Sequence, residues 1–182
     1  LLQGDVGAGK TDVALYCLLV AIQSDKKAVL MVPTEVLATQ HYIKIRDFLK
    51  SESVPVLLLK SKLKKKDKEE IVQLLCSSQP LIVVGTHALI QDSVEITDVG
   101  VVVIDEQHRF GVTQRFQLKQ KGNNPHCLYM TATPIPRSFL LSCFGDLDKV
   151  LIKGLPPGRQ GIKTIVVTEG ESALVYAACK KN

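Results

Sequence analysis

A glycine-rich stretch near the start of the chain, Gly4-Asp5-Val6-Gly7-Ala8-Gly9-Lys10-Thr11, indicates the fold of the whole. It fits the pattern G-x-x-x-x-G-K-[ST], a loop whose backbone N–H groups surround the phosphates of a nucleoside triphosphate. Glycine at three of these positions allows positive φ angles and a close approach of the backbone to an anion. A glycine-rich turn that only opens a helix is the alternative. The pattern favours a phosphate-binding loop between a β-strand and a helix N-terminus.

Residue types within this loop assign the expected contacts. Lys10 is placed to reach the β- and γ-phosphates, and the Thr11 hydroxyl to ligate Mg²⁺. Only Leu1, Leu2 and Gln3 precede the loop to form the strand that such loops follow. We therefore expect the sequence to be a piece of a longer chain.

Composition is that of a globular domain, with 46% hydrophobic residues among 182. This length suits one domain, or one domain with the start of another. No apolar run reaches the length of a membrane span, and we expect no membrane partner. The cysteines are odd in number and contain no C-x-x-C pair, which predicts reduced core thiols rather than a disulfide framework or a metal site. They are Cys17, Cys76, Cys127, Cys143 and Cys179.

The net charge of +5 permits an anionic partner, and the basic residues are unevenly distributed. One short segment holds Lys60, Lys62, Lys64, Lys65, Lys66 and Lys68. A solvated loop is one interpretation of this run. Contact with a phosphate backbone is the other, and the sequence leaves both open.

Short apolar runs alternate with amphipathic stretches along the chain, which predicts βαβ units. The runs are nearly continuous, as expected for parallel strands buried on both faces. The fold class is therefore α/β, a doubly wound and mainly parallel sheet with helices on both faces. Predicted strands are Ala28–Val32, Val54–Leu59, Leu81–Val84, Val101–Ile104, His126–Met130 and Ile162–Val167, and predicted helices are Lys10–Gln23, Val36–Leu49, Asp67–Cys76, Val112–Gln120 and Pro136–Cys143.

Two acids, Asp105 and Glu106, directly follow the apolar strand Val101–Ile104. Asp105 is suited to hold Mg²⁺ and Glu106 to orient and deprotonate an attacking water. A buried strand that ends in a solvated turn is the alternative. Gln107 and His108 come next, and a polar pair at this position is suited to sensing the γ-phosphate.

Other predicted strand ends also carry small polar residues. Thr131 and Thr133 directly follow the predicted strand His126–Met130, and Arg137 lies a few residues later. The two threonine hydroxyls are expected to hydrogen-bond to the acids on the neighbouring strand. Thr34 and Thr86 stand where predicted helices start. Because Thr is a good N-cap, helix capping alone is one explanation for these two residues. Contact with a nucleic-acid backbone is the functional interpretation, for Pro33, Thr34, Gly85, Thr86 and His87. Ligands of such sheets bind beyond the carboxyl ends of the strands, where all these residues fall.

Proline and glycine mark a boundary late in the sequence, at Gly154-Leu155-Pro156-Pro157-Gly158-Arg159. We predict one domain over 1–153, a linker over 154–161, and the opening of a second domain over 162–182. That last piece contains one predicted strand and one predicted helix, Glu171–Cys179, which is too little for a domain of its own.

Taken together, these motifs resemble the first motor lobe of RecG-type DNA helicases of superfamily 2. The resemblance covers nearly all of the chain. It rests on the loop with Leu2 and Gln3 before it, Pro33–His41, Ile82–Leu89, Asp105–Val112, Met130–Arg137, Gly145–Asp148 and Leu155–Arg159. At the end of the third apolar run, RecG-type chains usually carry Thr-Gly-Ser, a compact turn that contacts the DNA backbone. This chain has Lys60-Ser61-Lys62 there, so we expect a DNA contact of different geometry.

The resemblance implies a RecA-like, P-loop NTPase lobe that binds ATP and Mg²⁺ through Gly4–Thr11 and Asp105. Glu106 would support hydrolysis, while Gln107, His108, Thr131, Thr133 and Arg137 would couple it to movement on branched double-stranded DNA. It further implies a monomeric parent with an N-terminal wedge and a second motor lobe, in the bacterial cytoplasm or in an organelle. A transcription-repair coupling translocase shares most of these motifs, although it typically has Glu in place of Gln107.

Two further interpretations come from other classes of protein. A catalytically silent nucleotide-binding or DNA-binding module would fit if the gene ended near Asn182. A P-loop enzyme that is not a helicase is the third alternative, and Asp105-Glu106-Gln107-His108 disfavours it.

Overall fold

The computed structural model describes residues 1–61, 63–91, 93–106, 124–133 and 147–153, with residues 166, 168 and 170. Several predictions lie outside the described residues, namely the helices at 112–120, 136–143 and 171–179, the linker, and most of the strand at 162–167. The boundary between two domains is therefore a prediction that the structure does not test. Gln107, His108 and Arg137 also lie outside these ranges.

Parallel β-strands form the centre of the molecule, and seven are found in the described part of the chain. Their order across the sheet is β3-β4-β2-β5-β6-β1-β7, and every pairing is parallel. Their bounds are Leu2–Gly4 (β1), Lys27–Met31 (β2), Val56–Leu59 (β3), Ile82–Gly85 (β4), Val99–Ile104 (β5), His126–Thr131 (β6) and Val150–Ile152 (β7). The prediction of an α/β fold with a parallel sheet is confirmed.

Three α-helices among the described residues connect the first four strands, so each connection is a βαβ crossover. They are Lys10–Gln23 (α1), Glu35–Phe48 (α2) and Lys65–Cys76 (α3), and a 3₁₀ turn at His87–Ile90 follows β4. None of the helices in the described ranges is both long enough and apolar enough to cross a membrane.

Alternating side chains of each strand enter two separate hydrophobic cores. On β2, Val29 and Met31 pack with Leu75 of α3 on one face. Ala28 and Leu30 pack with α1 and α2 on the other face. Because both faces are covered, the strands consist of nearly continuous apolar residues, which confirms the doubly wound arrangement with helices on both sides.

Three features differ from the sequence predictions. Strand β7 was not predicted, since three residues are too few to show a period in sequence. Helix α3 begins at Lys65 rather than at Asp67, so part of the lysine run is helical instead of forming a solvated loop. Of the described thiols, Cys17 and Cys127 are half-buried and pack against the two hydrophobic cores, as expected, whereas the expectation of a core thiol is wrong for Cys76, which is exposed.

Candidate nucleotide-binding site

The glycine-rich loop leaves β1 at Gly4 and enters α1 at Lys10. Gly7 and Gly9 have φ angles of 82° and 91°, the left-handed conformation that favours glycine. Asp5 stabilises the loop from within, because its Oδ1 accepts a 2.7 Å hydrogen bond from the amide of Val6. Gly9 is the N-cap of α1, and no side chain caps this helix. The loop thus has the curved shape and the uncapped helix start that an anion requires.

Lys10 lies across the mouth of this loop. Its Nζ donates to the carbonyl oxygen of Gly4 at 2.8 Å and to that of Asp5 at 2.9 Å. These contacts hold the ammonium group over the loop, where a bound phosphate would lie. Contact of Lys10 with the β- and γ-phosphates stays a prediction.

The acid pair follows β5, and its backbone is fixed by several contacts. The amide of Asp105 donates to the carbonyl of Met31 at 3.0 Å, which extends the pairing of β5 with β2 past the end of the strand. Asp105 Oδ1 accepts a 2.9 Å hydrogen bond from the amide of Glu106. Glu106 has a φ of 50°, a conformation that is uncommon for a residue with a side chain. This turn places both acids directly after β5, where each is half-buried.

Strand order brings the loop and the acid pair to the same place. The sheet runs β5-β6-β1, so a single strand separates the strand that ends in the acids from the strand that ends in the loop. Because all three are parallel, their carboxyl ends meet at one edge. The loop and the acid pair therefore lie at the same edge of the sheet, on either side of β6.

Thr131 and Thr133 occupy the intervening strand end, but their contacts differ from the prediction. Thr131 is fully buried, and its Oγ1 lies 2.9 Å from Thr133 Oγ1 and accepts from the Thr133 amide at 3.1 Å. The threonine pair thus closes a turn on itself. Within the described residues, the expected hydrogen bond from these hydroxyls to the acids is not formed.

One residue at this site was missed in the sequence. His41 on α2 places its Nε2 at 3.3 Å from Asp105 Oδ2, and the two side chains are only 11% and 14% exposed. Both carboxylate oxygens of Asp105 are thus contacted, one by a backbone amide and one by an imidazole. His41 stands in a motif used for the resemblance, yet no spacing rule linked it to an acid 64 residues away (105 − 41).

A second group of predicted residues lines the opposite half of the same sheet edge, after β2 and β4. Thr34 is exposed and caps α2, with its Oγ1 accepting from the Leu37 amide at 3.3 Å. His87 is exposed, and its Nε2 lies 3.4 Å from Ser61 Oγ after β3. Pro33 is half-buried beside them. These side chains form a surface separate from the loop.

Gly85 and Thr86 play a different part from the surface contact predicted for them. Thr86 is 1% exposed, and its hydroxyl has no hydrogen-bond partner among the described residues. A Cβ at Gly85 would lie 2.7 Å from the carbonyl oxygen of Leu59. Both residues therefore serve close packing at the end of β4, which leaves His87 as the exposed group of that motif.

A metal ion at this site would have few protein ligands. The described residues contain no group of three or more His, Cys, Asp or Glu side chains able to hold an ion. Mg²⁺ bound with a nucleotide typically takes one or two side chains and completes its shell with phosphates and water. Thr11 and Asp105, at one sheet edge, fit that requirement.

Known proteins share this sequence and fold. Residues 1–140 match the family model for DEAD/DEAH box helicases. The ATP-dependent DNA helicase RecG of Synechocystis sp. is 50% identical over 181 residues, which are 100% of this chain and 22% of that protein. RecG of Aquifex aeolicus is 49% identical over 97% of this chain and 22% of its own length.

Solved structures agree with these relatives. A structure of RecG bound to a three-way DNA junction has a TM-score of 0.80 and 40% identity over 98% of this chain and 24% of its own. The Hef helicase domain of Pyrococcus furiosus has a TM-score of 0.65 at 20% identity over 89% of this chain and 37% of its own, which shows the fold alone. The chain thus spans 22–27% of the length of the curated RecG proteins that it matches. With its phosphate loop and acid pair at one edge of a parallel sheet, the chain belongs to the DEAD/DEAH box helicase family.

Proposed function

We propose that this chain is the ATP-binding lobe of a RecG-type, ATP-dependent DNA helicase that remodels branched DNA. The observation that carries the proposal is the placement of Lys10 and Asp105-Glu106 at one sheet edge, separated by the single strand β6. Sequence identity of 50% to a RecG helicase across the whole chain supports the choice among helicases. The full reaction would belong to a longer protein, because the matched relatives are about four times as long.

Membership of this family implies ATP binding, and residues of the loop would contact the phosphates of ATP. Lys10 would exchange its contacts with the Gly4 and Asp5 carbonyls for phosphate oxygens. Backbone amides of Gly4–Thr11 would surround the same phosphates. These are exchanges of hydrogen bonds within a formed loop, and they require no large change in its backbone.

Thr11 and Asp105 would hold Mg²⁺, which neutralises phosphate charge when it is bound. Glu106 is one residue beyond Asp105, on a turn fixed by its own amide, and it would accept a proton from the attacking water through its carboxylate. The two acids would have separate roles: Asp105, with neighbours on both carboxylate oxygens, would hold the metal, and Glu106, the next residue, would act as the base.

Double-stranded DNA would bind along the other half of the edge, over Thr34, Ser61 and His87. The exposed hydroxyls and the imidazole there are suited to phosphate oxygens, and Lys60 and Lys64 lie on the segment after β3. Aromatic residues make up only 5% of the chain, so we expect backbone contacts rather than base stacking. Such contacts recognise the shape of a junction and not its sequence.

A chimera tests this function directly. In it, the 182 residues of this chain replace the matching 22% of Synechocystis RecG, a substitution that 50% identity makes feasible. We expect ATP hydrolysis by the chimera to be stimulated more strongly by a three-way junction than by linear duplex of equal length. Equal stimulation by both DNAs would contradict the junction assignment, and stimulation by RNA polymerase instead would favour the transcription-repair translocase.

A further inference from the structure

We propose that His41 is a positioning residue for Asp105, and that it connects this acid through helix α2 to the half of the sheet edge that faces DNA. The inference rests on the proposed function, because it assigns Asp105 to Mg²⁺ and Thr34 to the DNA side. It concerns a residue that contacts neither ligand.

The contact itself is shielded from solvent, and its length is at the upper end for a hydrogen bond. His41 Nε2 lies 3.3 Å from Asp105 Oδ2, with 11% of the imidazole and 14% of the carboxylate side chain exposed. The other oxygen, Oδ1, accepts from the Glu106 amide at 2.9 Å. Catalytic hydrogen bonds in unliganded sites are often long and shorten when the ligand binds. His41 therefore completes the orientation of a carboxylate whose other oxygen is already fixed.

The effect of a neighbouring group that orients a metal-binding side chain has a known magnitude. Partners that orient a metal-binding side chain typically change metal affinity or activity by about 10–100-fold when they are removed. Asp105 would be one of only two protein ligands here, so its orientation carries a large share of the metal's coordination. A role confined to packing would not produce an effect that depends on the metal.

Helix α2 makes the contact more than local. It begins at Glu35 after the Thr34 cap, and Glu35 Oε1 accepts a 3.2 Å hydrogen bond from the Ser61 amide at the end of β3. His41 lies seven residues after Thr34, which is close to two helical turns. One rigid helix thus contacts both the DNA-facing strand end and the acid after β5. A shift of α2 on DNA binding would move His41 relative to Asp105.

Three substitutions of His41 distinguish the loss of its hydrogen-bond donor from a change in its side-chain volume. In His41→Gln the amide nitrogen reaches about as far as Nε2, so the contact is retained. His41→Leu removes the donor, and His41→Asn keeps a polar group that is too short to reach Asp105. His126→Leu is the matched control, because His126 is exposed at the opposite end of the sheet.

Binding of ADP to the 182-residue chain, measured by calorimetry with Mg²⁺ and with EDTA, gives the first readout. We expect Mg²⁺ to tighten binding for the unchanged chain and for His126→Leu. We expect His41→Leu and His41→Asn to lose about 10-fold of that tightening, with affinity in EDTA unchanged, while His41→Gln stays within about 3-fold of the unchanged chain. Thermal melting of each variant checks that it is folded.

Turnover by the chimera gives the second readout. We expect His41→Leu to lower kcat about 10-fold and to raise the Mg²⁺ concentration needed for half-maximal rate, with partial recovery at high Mg²⁺. Equal Mg²⁺ dependence in His41→Leu and the unchanged chain would overturn the inference, as would a His41→Gln variant impaired as much as His41→Leu. Failure of the unchanged chain to bind ADP with Mg²⁺ would instead overturn the proposed function, and the inference with it.

Discussion

At the scale of single residues, positive φ angles occur at the candidate site, and they occur also at Asp25, Asp98 and Asn124, which precede β2, β5 and β6 at the opposite edge of the sheet. Gly9, with a φ of 91°, ends the phosphate loop, and Glu106, with a φ of 50°, follows Asp105, the acid proposed to hold Mg²⁺. A left-handed conformation costs a residue with a side chain about 1–2 kcal/mol. The loop avoids that cost by using glycine, whereas Glu106 bears it while its amide donates to Asp105. Strain that persists at such a position is typical of functional sites.

Gly9→Ala is expected to destabilise the chain by about 1–2 kcal/mol and to weaken ADP binding, because alanine resists the left-handed conformation. Space is not the reason, since the atom nearest to an added Cβ would be Asp12 Oδ2 at 3.8 Å. Denaturant unfolding and calorimetry measure the two effects. Gly170→Ala is the matched control, with no atom within 4 Å of the added Cβ, and it should change stability by less than about 0.5 kcal/mol. Wild-type behaviour of Gly9→Ala would show that the loop relaxes freely.

Glu106→Gln, made in the chimera, should leave ATP affinity unchanged and lower kcat by at least about 10²-fold, because an amide cannot accept the proton of water. Steady-state ATPase and equilibrium binding of a fluorescent nucleotide separate the two quantities. Glu52→Gln, an exposed position after α2, is the control for the same chemical change. Undiminished turnover of Glu106→Gln would show that another group is the base.

At the scale of elements, a buried lysine joins helix α3 to the sheet. Lys27, at the start of β2, is 1% exposed. Its Nζ donates to the Ser77 carbonyl just after α3, and to the carbonyl and hydroxyl of Thr97 at 3.1 and 3.2 Å. Burial lowers the pKa of Lys27, and the charge of Asp98 offsets part of that effect. A cation near the helix C-terminus also interacts favourably with the helix dipole.

The lowered pKa of Lys27 has a defined consequence for stability. Between its folded pKa and its unfolded value of about 10.4, the unfolded chain binds more protons, so this group makes the chain more stable as the pH rises. Below the folded pKa, Lys27 is protonated in both the folded and the unfolded state, and the free-energy cost of burying its charge is fully present. Lys27→Met should remove this contribution to the pH dependence.

The same substitution should also lower the free energy of unfolding by about 1–3 kcal/mol near neutral pH, because the Ser77 and Thr97 carbonyls lose their donor. Urea unfolding of both proteins from pH 7 towards 10.4 measures the difference. Lys26→Met is the control, since Lys26 is half exposed and its ion pair with Asp98 is 3.7 Å long. Parallel stability profiles for Lys27→Met and the unchanged chain would refute the titration of Lys27.

Elements differed in how well their bounds could be predicted. Both ends of α1 were predicted correctly, because a glycine-rich loop precedes Lys10 and the polar turn Ser24-Asp25 follows the helix. The start of α3 was set two residues late, since consecutive lysines suggested a solvated loop, although Lys is a good helix former. The burial of Lys27 could not be predicted, because its partners are 50 and 70 residues away.

At the scale of the whole molecule, the order of the strands in the sheet determines which motifs are neighbours. The parallel sheet places every motif-bearing strand end on one edge, and this much followed from sequence alone. Which motifs are neighbours did not follow, because it depends on the order β5-β6-β1. The contact of His41 with Asp105 is of the same kind, since it depends on how α2, which packs over β3 and β4, reaches the end of β5. Sequence therefore predicted the residues of the candidate site better than their partners.

The division of the edge into two halves is also a property of the whole sheet. The residues proposed to face the nucleotide follow β5, β6 and β1, whereas exposed groups suited to DNA follow β2, β4 and β3. Helix α2 contacts both halves, through Glu35 and His41. The proposed sites of hydrolysis and of DNA contact are thus linked by one helix, and a motor needs such a link to transmit a change from one ligand to the other.

Paramagnetic broadening by Mn²⁺ and ADP bound to the chain tests most directly whether the loop and the acid pair share one nucleotide. In amide NMR spectra, with Mg²⁺ and ADP as the diamagnetic reference, we expect signals of Gly7–Thr11, Asp105 and Glu106 to broaden together. Signals of Asp98 and His126 should stay sharp, because β5 and β6 separate the two edges by six residues at about 3.3 Å each. Broadening at the loop without broadening at Asp105 and Glu106 would contradict a shared site.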